Sequence, residues 1–155
     1  MMKSYLLGID IGTSAWKVAV FDRNGKVLAA ASGDYPVYYP HEGWAEQNPE
    51  EWWDAVCRAT KETIQKADIT ADEIAGIGID GQSWSAIPID REGNVLANTP
   101  IWMDTRAQSI CDRLNQEIGQ EEIFEVAGNS LQPSYSTAKI LWYKENLPAV
   151  YAKIY

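Results

Sequence analysis

The chain has 155 residues, 46% of them hydrophobic and 23% charged, with a formal net charge of -9. That length holds one domain with a real core but not two ordinary ones. The acidic balance excludes a nucleic-acid or anionic-membrane partner, which would need basic patches, and 2 cysteines with 1 histidine exclude a disulfide framework and a multi-histidine metal centre.

No stretch is long and apolar enough to span a bilayer, and Met-Met-Lys-Ser-Tyr leads into a strand pattern without the apolar core of a signal peptide. A reduced, cytoplasmic setting is therefore expected. Residues 5–10 and 16–21 read as strands, and Asp22-Arg23-Asn24-Gly25-Lys26 carries the Asn-Gly signal of a hairpin leading to a third strand over 27–31. Short turns make these three antiparallel neighbours. Residues 33–48, rich in Tyr, Pro and Gly, read as a surface excursion. Asn48 as N-cap, Pro49 at the first helical position and two acids then open a helix expected to reach about Ala67. Trp52 and Trp53 are adjacent on it and cannot both face the core.

Thr70-Ala71-Asp72-Glu73 reads as a capped single turn before an apolar strand over 74–79. A further strand is expected over 85–89, closed by the hairpin turn Asp90-Arg91-Glu92-Gly93-Asn94. Helices are expected over 104–118, 120–127 and 136–146, the last stopped by Pro148, with Cys57 and Cys111 in helical stretches. A meander of strands followed by alternating helices and strands predicts an α/β domain with a mixed sheet.

One stretch carries unexpected chemistry. Asp10 lies in an apolar run and is followed at once by Gly12, Thr13 and Ser14, with Lys17 close behind. A carboxylate among Leu, Ile and Val is costly unless its charge is compensated. A Gly-containing turn can aim N–H groups into an anion-binding concavity, with the two hydroxyls and the ammonium adding donors. Asp10 would then reach Mg²⁺ whose other ligands are phosphate oxygens. A plain hairpin whose Asp caps backbone N–H groups explains this stretch equally well. The stretch is neither a Walker loop nor a dinucleotide fingerprint.

The remaining blocks bear on that choice. Gly8-Ile9-Asp10-Ile11-Gly12-Thr13-Ser14 with Lys17 resembles the first phosphate motif of the FGGY carbohydrate kinases, in the actin-like, ribonuclease-H-like ATPase superfamily. Gly43-Trp44-Ala45-Glu46-Gln47-Asn48-Pro49-Glu50-Glu51-Trp52-Trp53 is similar to that family's segment before its first helix. Gly76-Ile77-Gly78-Ile79-Asp80-Gly81-Gln82 resembles its next strand and substrate turn. Ile101-Trp102-Met103-Asp104-Thr105-Arg106 and Ser136-Thr137-Ala138-Lys139-Ile140-Leu141-Trp142 complete the series in order.

The resemblance implies a ribonuclease-H-like fold, with a mixed sheet flanked by helices, and transfer of the ATP γ-phosphoryl group to a sugar hydroxyl in a cleft between two domains. It implies ATP and Mg²⁺ as cofactors, a small sugar as substrate, and a homodimer as the assembly to test. By position, Asp10 would organise metal and phosphate, with Gly12, Thr13, Ser14 and Lys17 around the nucleotide. Gln82, Ser83, Trp84, Trp102 and Asp104 would lie at or near the sugar, with Arg106 orienting Asp104 or touching substrate. Family members are far longer, so residues 1–155 are expected to be an N-terminal portion, with the catalytic base and a second, nucleotide-binding domain beyond it.

Xylulokinase is the nearest label, but Gly81-Gln82-Ser83-Trp84-Ser85 stands where xylulokinases show Gly-Gln-Met-His-Gly and glycerol kinases Gln-Arg-Glu. Kinases of glycerol, gluconate or ribulose are rival readings, as is a non-catalytic actin-like ATP-binding or regulatory domain. Trp16 and Trp142 read as core residues, Trp84 as a sugar contact, and Asp80 as a turn cap rather than a site carboxylate.

Overall fold

Apolar residues alternate along Tyr5–Ile11 (β1) and Ala15–Phe21 (β2), and the two strands pair antiparallel with Leu7 opposite Val20 and Ile9 opposite Val18. These four are buried, as is Trp16 opposite Ile11. Period two then puts Gly8, Asp10, Lys17 and Ala19 on the other face. In the computed structural model, which describes residues 4–155, Val27–Asp34 (β3) pairs antiparallel with β2, and Ile74–Gly81 (β5) runs parallel to β1. The sheet order is β3-β2-β1-β5, the mixed sheet expected. The first hairpin turn closes as predicted, with Gly25 at φ 80 and the Asp22 carboxylate accepting the N–H groups of Asn24 and Lys26.

The chain divides into two compact units. One runs through Pro36 and resumes over Glu50–Gln82; the other comprises Val37–Pro49 and Ser83–Tyr155. The first unit holds this sheet and nearly all of α1 (Pro49–Lys66), where Trp52, Ala55, Val56, Ala59 and Thr63 recur at helical spacing and are buried. Trp53 is 69% exposed, so the adjacent pair divides as expected. A single 3₁₀ turn, Ala71–Glu73, precedes β5, and the Glu73 carboxylate accepts the Thr70 N–H.

The second unit pairs Glu46–Gln47 (β4) with Thr99–Pro100 (β6). It also holds α2 (Gln108–Glu117), α3 (Gln120–Ala127), α4 (Ser136–Asn146) and α5 (Pro148–Tyr151). Ala107, Ile110, Cys111, Ala138, Trp142 and Tyr143 form its core. Both cysteines are free thiols.

Three expectations are corrected and a fourth, the stop at Pro148, is extended. β3 extends to Asp34, because Gly33 sits opposite Trp16, where a Cβ would stand 2.5 Å from the indole; the surface excursion therefore starts later. No strand forms over 85–89. Pro88 has no N–H for a ladder, and the Ala86 carbonyl instead accepts the Thr99 and Tyr143 hydroxyls. Only a single bridge, Ile89 to Val95, spans the second hairpin turn. α2 starts at Gln108, not 104, because the Thr105 N–H is bonded to the Gly43 carbonyl and Asp104 accepts the N–H groups of Ala45 and Arg106. Pro148 ends α4 but also opens α5, a position that suits its missing N–H.

Trp142 is 8% exposed, so Trp142→Ala should cost about 3–5 kcal/mol, as large-to-small core changes do. Trp53→Ala should stay within about 0.5 kcal/mol. Urea midpoints of the two variants measure this, and equal losses would contradict the assignment of faces.

Candidate functional site

Antiparallel pairing sets Lys17 directly opposite Asp10, and parallel pairing sets Asp80 beside Asp10 on the next strand. Lys17 Nζ donates to Asp10 Oδ2 at 3.1 Å across this open face, so the ammonium offsets the carboxylate. Gly8, Ile9, Ala19, Phe21, Gly78 and Ile79 line the rest of a shallow concavity of about 470 Å³ with these three charged residues. Asp80 Oδ1 accepts the N–H of its strand neighbour Gly81, and the residue lines the same concavity as Asp10 and Lys17. Gln82 continues the parallel pairing, its N–H donating to the Ile11 carbonyl.

The Gly12 turn is tight. Its N–H donates to the Ala15 carbonyl at 3.0 Å, and a Cβ on Gly12 would stand 2.9 Å from that same oxygen. Glycine is thus required sterically, while its N–H is spent inside the turn. The remaining donors here are carried by Thr13, Ser14 and Lys17, with Ser14 and Lys17 exposed. Tyr35 was not legible as a site residue, because it lies in the stretch read as surface. It is buried, and its hydroxyl donates to the Gly12 carbonyl, bracing the turn from β3's end. Burial, and then the Asp10 charge, push its pKa up to about 12.

In the second unit Asp104 and Arg106 come together, and both are buried. Asp104 is 1% exposed; its oxygens accept the Ala45 N–H at 2.7 Å and the Arg106 backbone and guanidinium N–H groups at 2.8–3.0 Å. Arg106 also donates to Glu46 at 2.7 Å. Its guanidinium carbon lies 3.8 Å from the Trp44 ring centroid and 4.9 Å from that of Trp142. The pair therefore orders the turn that carries Trp102, which is exposed.

Trp84 stands apart from these. It is half exposed, has φ 65, and its ring lies 5.1 Å from that of Tyr135. Both rings border a groove of about 730 Å³ with Leu114, Ile118, Ile123, Ser136 and Thr137. Ser83 is exposed beside it. Lys139, quoted in a motif but given no role, is fully buried; its Nζ donates to the carbonyls of Trp84 and Ile101 at 2.9 Å each. Burial lowers its pKa to about 8, against the smaller raising effect of Asp104.

The match to known proteins spans the same elements. The family described as "FGGY family of carbohydrate kinases, N-terminal domain" matches residues 5–155. The chain belongs to this family. A xylulose kinase of Bacillus subtilis is 34% identical over 149 residues, covering 96% of this chain and 30% of that protein. A glycerol kinase of Rhizobium meliloti is 35% identical over 147 residues, covering 94% and 30%. The solved Plasmodium falciparum glycerol kinase with ADP matches with a TM-score of 0.87 at 25% identity, covering 96% of this chain and 30% of that one. The chain thus spans about 30% of the length of the relatives it matches. Its fold is that of the FGGY kinases, of the actin-like ATPase type, with a mixed sheet flanked by helices.

Within this FGGY domain the buried charges make two predictions. Asp104→Asn removes the charge facing Arg106, and breaking such a buried pair from one side should cost about 3–5 kcal/mol. A variant that keeps its melting temperature yet loses sugar affinity would assign Asp104 to the substrate instead. The second concerns alkaline pH. The folded pKa of Lys139, about 8, lies below the ordinary 10.5, so the folded state releases this proton first. Its charging penalty is complete below about pH 8 and is relieved as pH rises towards 10.5. The stability of wild type relative to Lys139→Met should therefore increase across that window, measured by denaturant midpoints; a flat difference would contradict the shift.

Proposed function

We propose that the chain is the N-terminal portion of an ATP-dependent kinase that transfers the γ-phosphoryl group to a hydroxyl of a small sugar, with D-xylulose as the first substrate to test. The observation that carries this is the Asp10–Lys17 pair on the open sheet face beside the Gly12 turn, within a chain whose family is one of carbohydrate kinases. Phosphoryl transfer depends mainly on positioning and charge neutralisation, which this surface supplies.

In this reading Thr13, Ser14 and Lys17 hold phosphate oxygens, Gly12 keeps the turn close enough for them to do so, and Asp10 holds Mg²⁺. Lys17 engages Asp10 Oδ2, while Oδ1 lies towards the Gly12 turn, 3.9 Å from where a Cβ would stand. No cluster of three or more His, Cys, Asp or Glu able to hold a metal occurs among the described residues. One carboxylate still suits Mg²⁺, which keeps several waters and takes the rest of its shell from phosphates. When bound, the ion would neutralise charge developing on those phosphates. On the sugar side the reading assigns Gln82, Ser83, Trp84 and Trp102 to contact, with Asp104 and Arg106 fixing the Trp102 turn. The carboxylate that accepts the hydroxyl proton belongs, in this reading, to a second domain outside residues 1–155. The whole enzyme is taken to be cytoplasmic and homodimeric; no helix among the described residues is long and apolar enough to cross a membrane.

Glycerol is the rival substrate, because the glycerol kinase relative is as similar as the xylulose kinase. Ser83 and Trp84 argue against it, since they replace the Arg-Glu expected of glycerol kinases. ADP release by the full-length protein, screened against D-xylulose, glycerol, gluconate and ribulose, decides among them. Turnover with none of these would favour a nucleotide-binding domain without kinase activity. In the active enzyme Asp10→Asn should lower kcat about 10²–10³-fold with little change in sugar KM. Near-normal turnover at saturating Mg²⁺ would reduce Asp10 to a turn residue.

A further inference from the structure

Lys139 is the buried charge for which the proposed chemistry has no use. It projects from the first turn of α4, is fully excluded from solvent, and directs its ammonium at two backbone carbonyls in separate irregular segments. One carbonyl is that of Trp84, whose backbone is left-handed at φ 65, a conformation costly for a bulky side chain unless its surroundings hold it. The other belongs to Ile101, immediately before Trp102, and this oxygen also accepts the Asp104 N–H at 3.1 Å.

The same helical turn engages Trp84 at its other end. Lys139's own N–H donates to the Tyr135 carbonyl at 3.4 Å, so the two residues are one turn apart, and the Tyr135 ring lies 5.1 Å from the Trp84 indole at an interplanar angle of 51°. Backbone and side chain of Trp84 are thus held from one element. A side chain without donors would take this bond from the Trp84 carbonyl and leave the Ile101 carbonyl only the Asp104 N–H, and the Tyr135 ring contact alone would then engage the left-handed residue from this helical turn. The Asp104 charge favours the ammonium and the smaller Arg106 effect opposes it.

We propose that Lys139 is a positioning residue: by holding the Trp84 and Ile101 carbonyls together it sets the direction of the Trp84 indole over the groove beside Tyr135, and so the affinity for the sugar. The affinity clause rests on the assignment of Trp84 to the sugar; the positioning clause does not.

The test uses the full-length kinase labelled with 5-fluorotryptophan, with the Trp84, Trp44 and Trp142 lines each assigned from its own Phe variant by ¹⁹F NMR. In Lys139→Met the Trp84 line should shift or broaden while the Trp44 and Trp142 lines stay, and Lys139→Arg should return it towards its wild-type position. With D-xylulose, or with glycerol if only that is turned over, Lys139→Met should raise the sugar KM about 10-fold and leave the ATP KM within about twofold. Added to Trp84→Ala, it should raise the sugar KM no further. An unmoved Trp84 line in a folded Lys139→Met protein overturns the proposal. Should that variant not fold, Lys139→Gln takes its place, and failure of both to fold assigns the lysine to the fold alone and also overturns it. If the line moves but neither Lys139→Met nor Trp84→Ala changes the sugar KM, positioning stands and the sugar assignment of Trp84 fails.

Discussion

The Arg106 guanidinium is buried in the second unit against two carboxylates and two indoles. Asp104 takes one edge, Glu46 extends the hydrogen bonding, and the indoles of Trp44 and Trp142, set edge to face against each other, lie 3.8 and 4.9 Å from the guanidinium carbon. A lysine could not replace it, because only a planar fork satisfies a bidentate carboxylate while packing over an aromatic ring. Much else follows from that one satisfied cation. Asp104 is drawn inward and accepts the Ala45 N–H, tying the 43–45 loop to the segment before α2, and Trp142 is held in the helical core. The cluster is close to neutral, since Glu46 and Asp104 face Arg106 with Lys139 nearby.

Rigid support of this kind is what a ligand site needs from irregular backbone. In the second unit the exposed Trp84 and Trp102 sit on segments without regular secondary structure, so their placement falls to side chains beneath them. In the first unit regular pairing performs the equivalent task. Register sets Asp10 opposite Lys17 and beside Asp80, and the Gly12 turn that follows is braced by Tyr35. The two units thus place chemistry by different means, one through a hydrogen-bonded ladder and the other through buried ion pairs.

Where local pattern and tertiary demand agree, the sequence was sufficient. The Asn-Gly and Glu-Gly-Asn hairpin turns, the Pro49 helix start and the helices at 120–127 and 136–146 all carry local signals that nothing in the fold opposes. The failures share a cause. The 85–89 run has strand-like composition, but its Ala86 carbonyl is claimed by the distant hydroxyls of Thr99 and Tyr143. Asp104 looked like a helix start, yet its carboxylate is committed to Ala45 and to Arg106, and α2 begins four residues later. Tyr35 and Lys139 were invisible as site residues because their partners are 23 and 55 or 38 positions away.

By itself the sequence determined the family, the mixed α/β fold, the division of Trp52 and Trp53 between two faces of α1 and the placement of Asp10 in the first strand before a Gly turn. These rest on short-range periodicity, turn chemistry and motif order, all of which are written locally. Only the tertiary structure decided that Asp104 and Arg106 are buried in each other's company, that Trp84 is left-handed and turned towards Tyr135, and that an ammonium from α4 holds its carbonyl. Burial and long-range hydrogen bonding set those outcomes. A charged side chain has the same local signature whether it meets solvent, a ligand or an opposite charge across the fold, and the difference lies in which distant atoms exclude water from it.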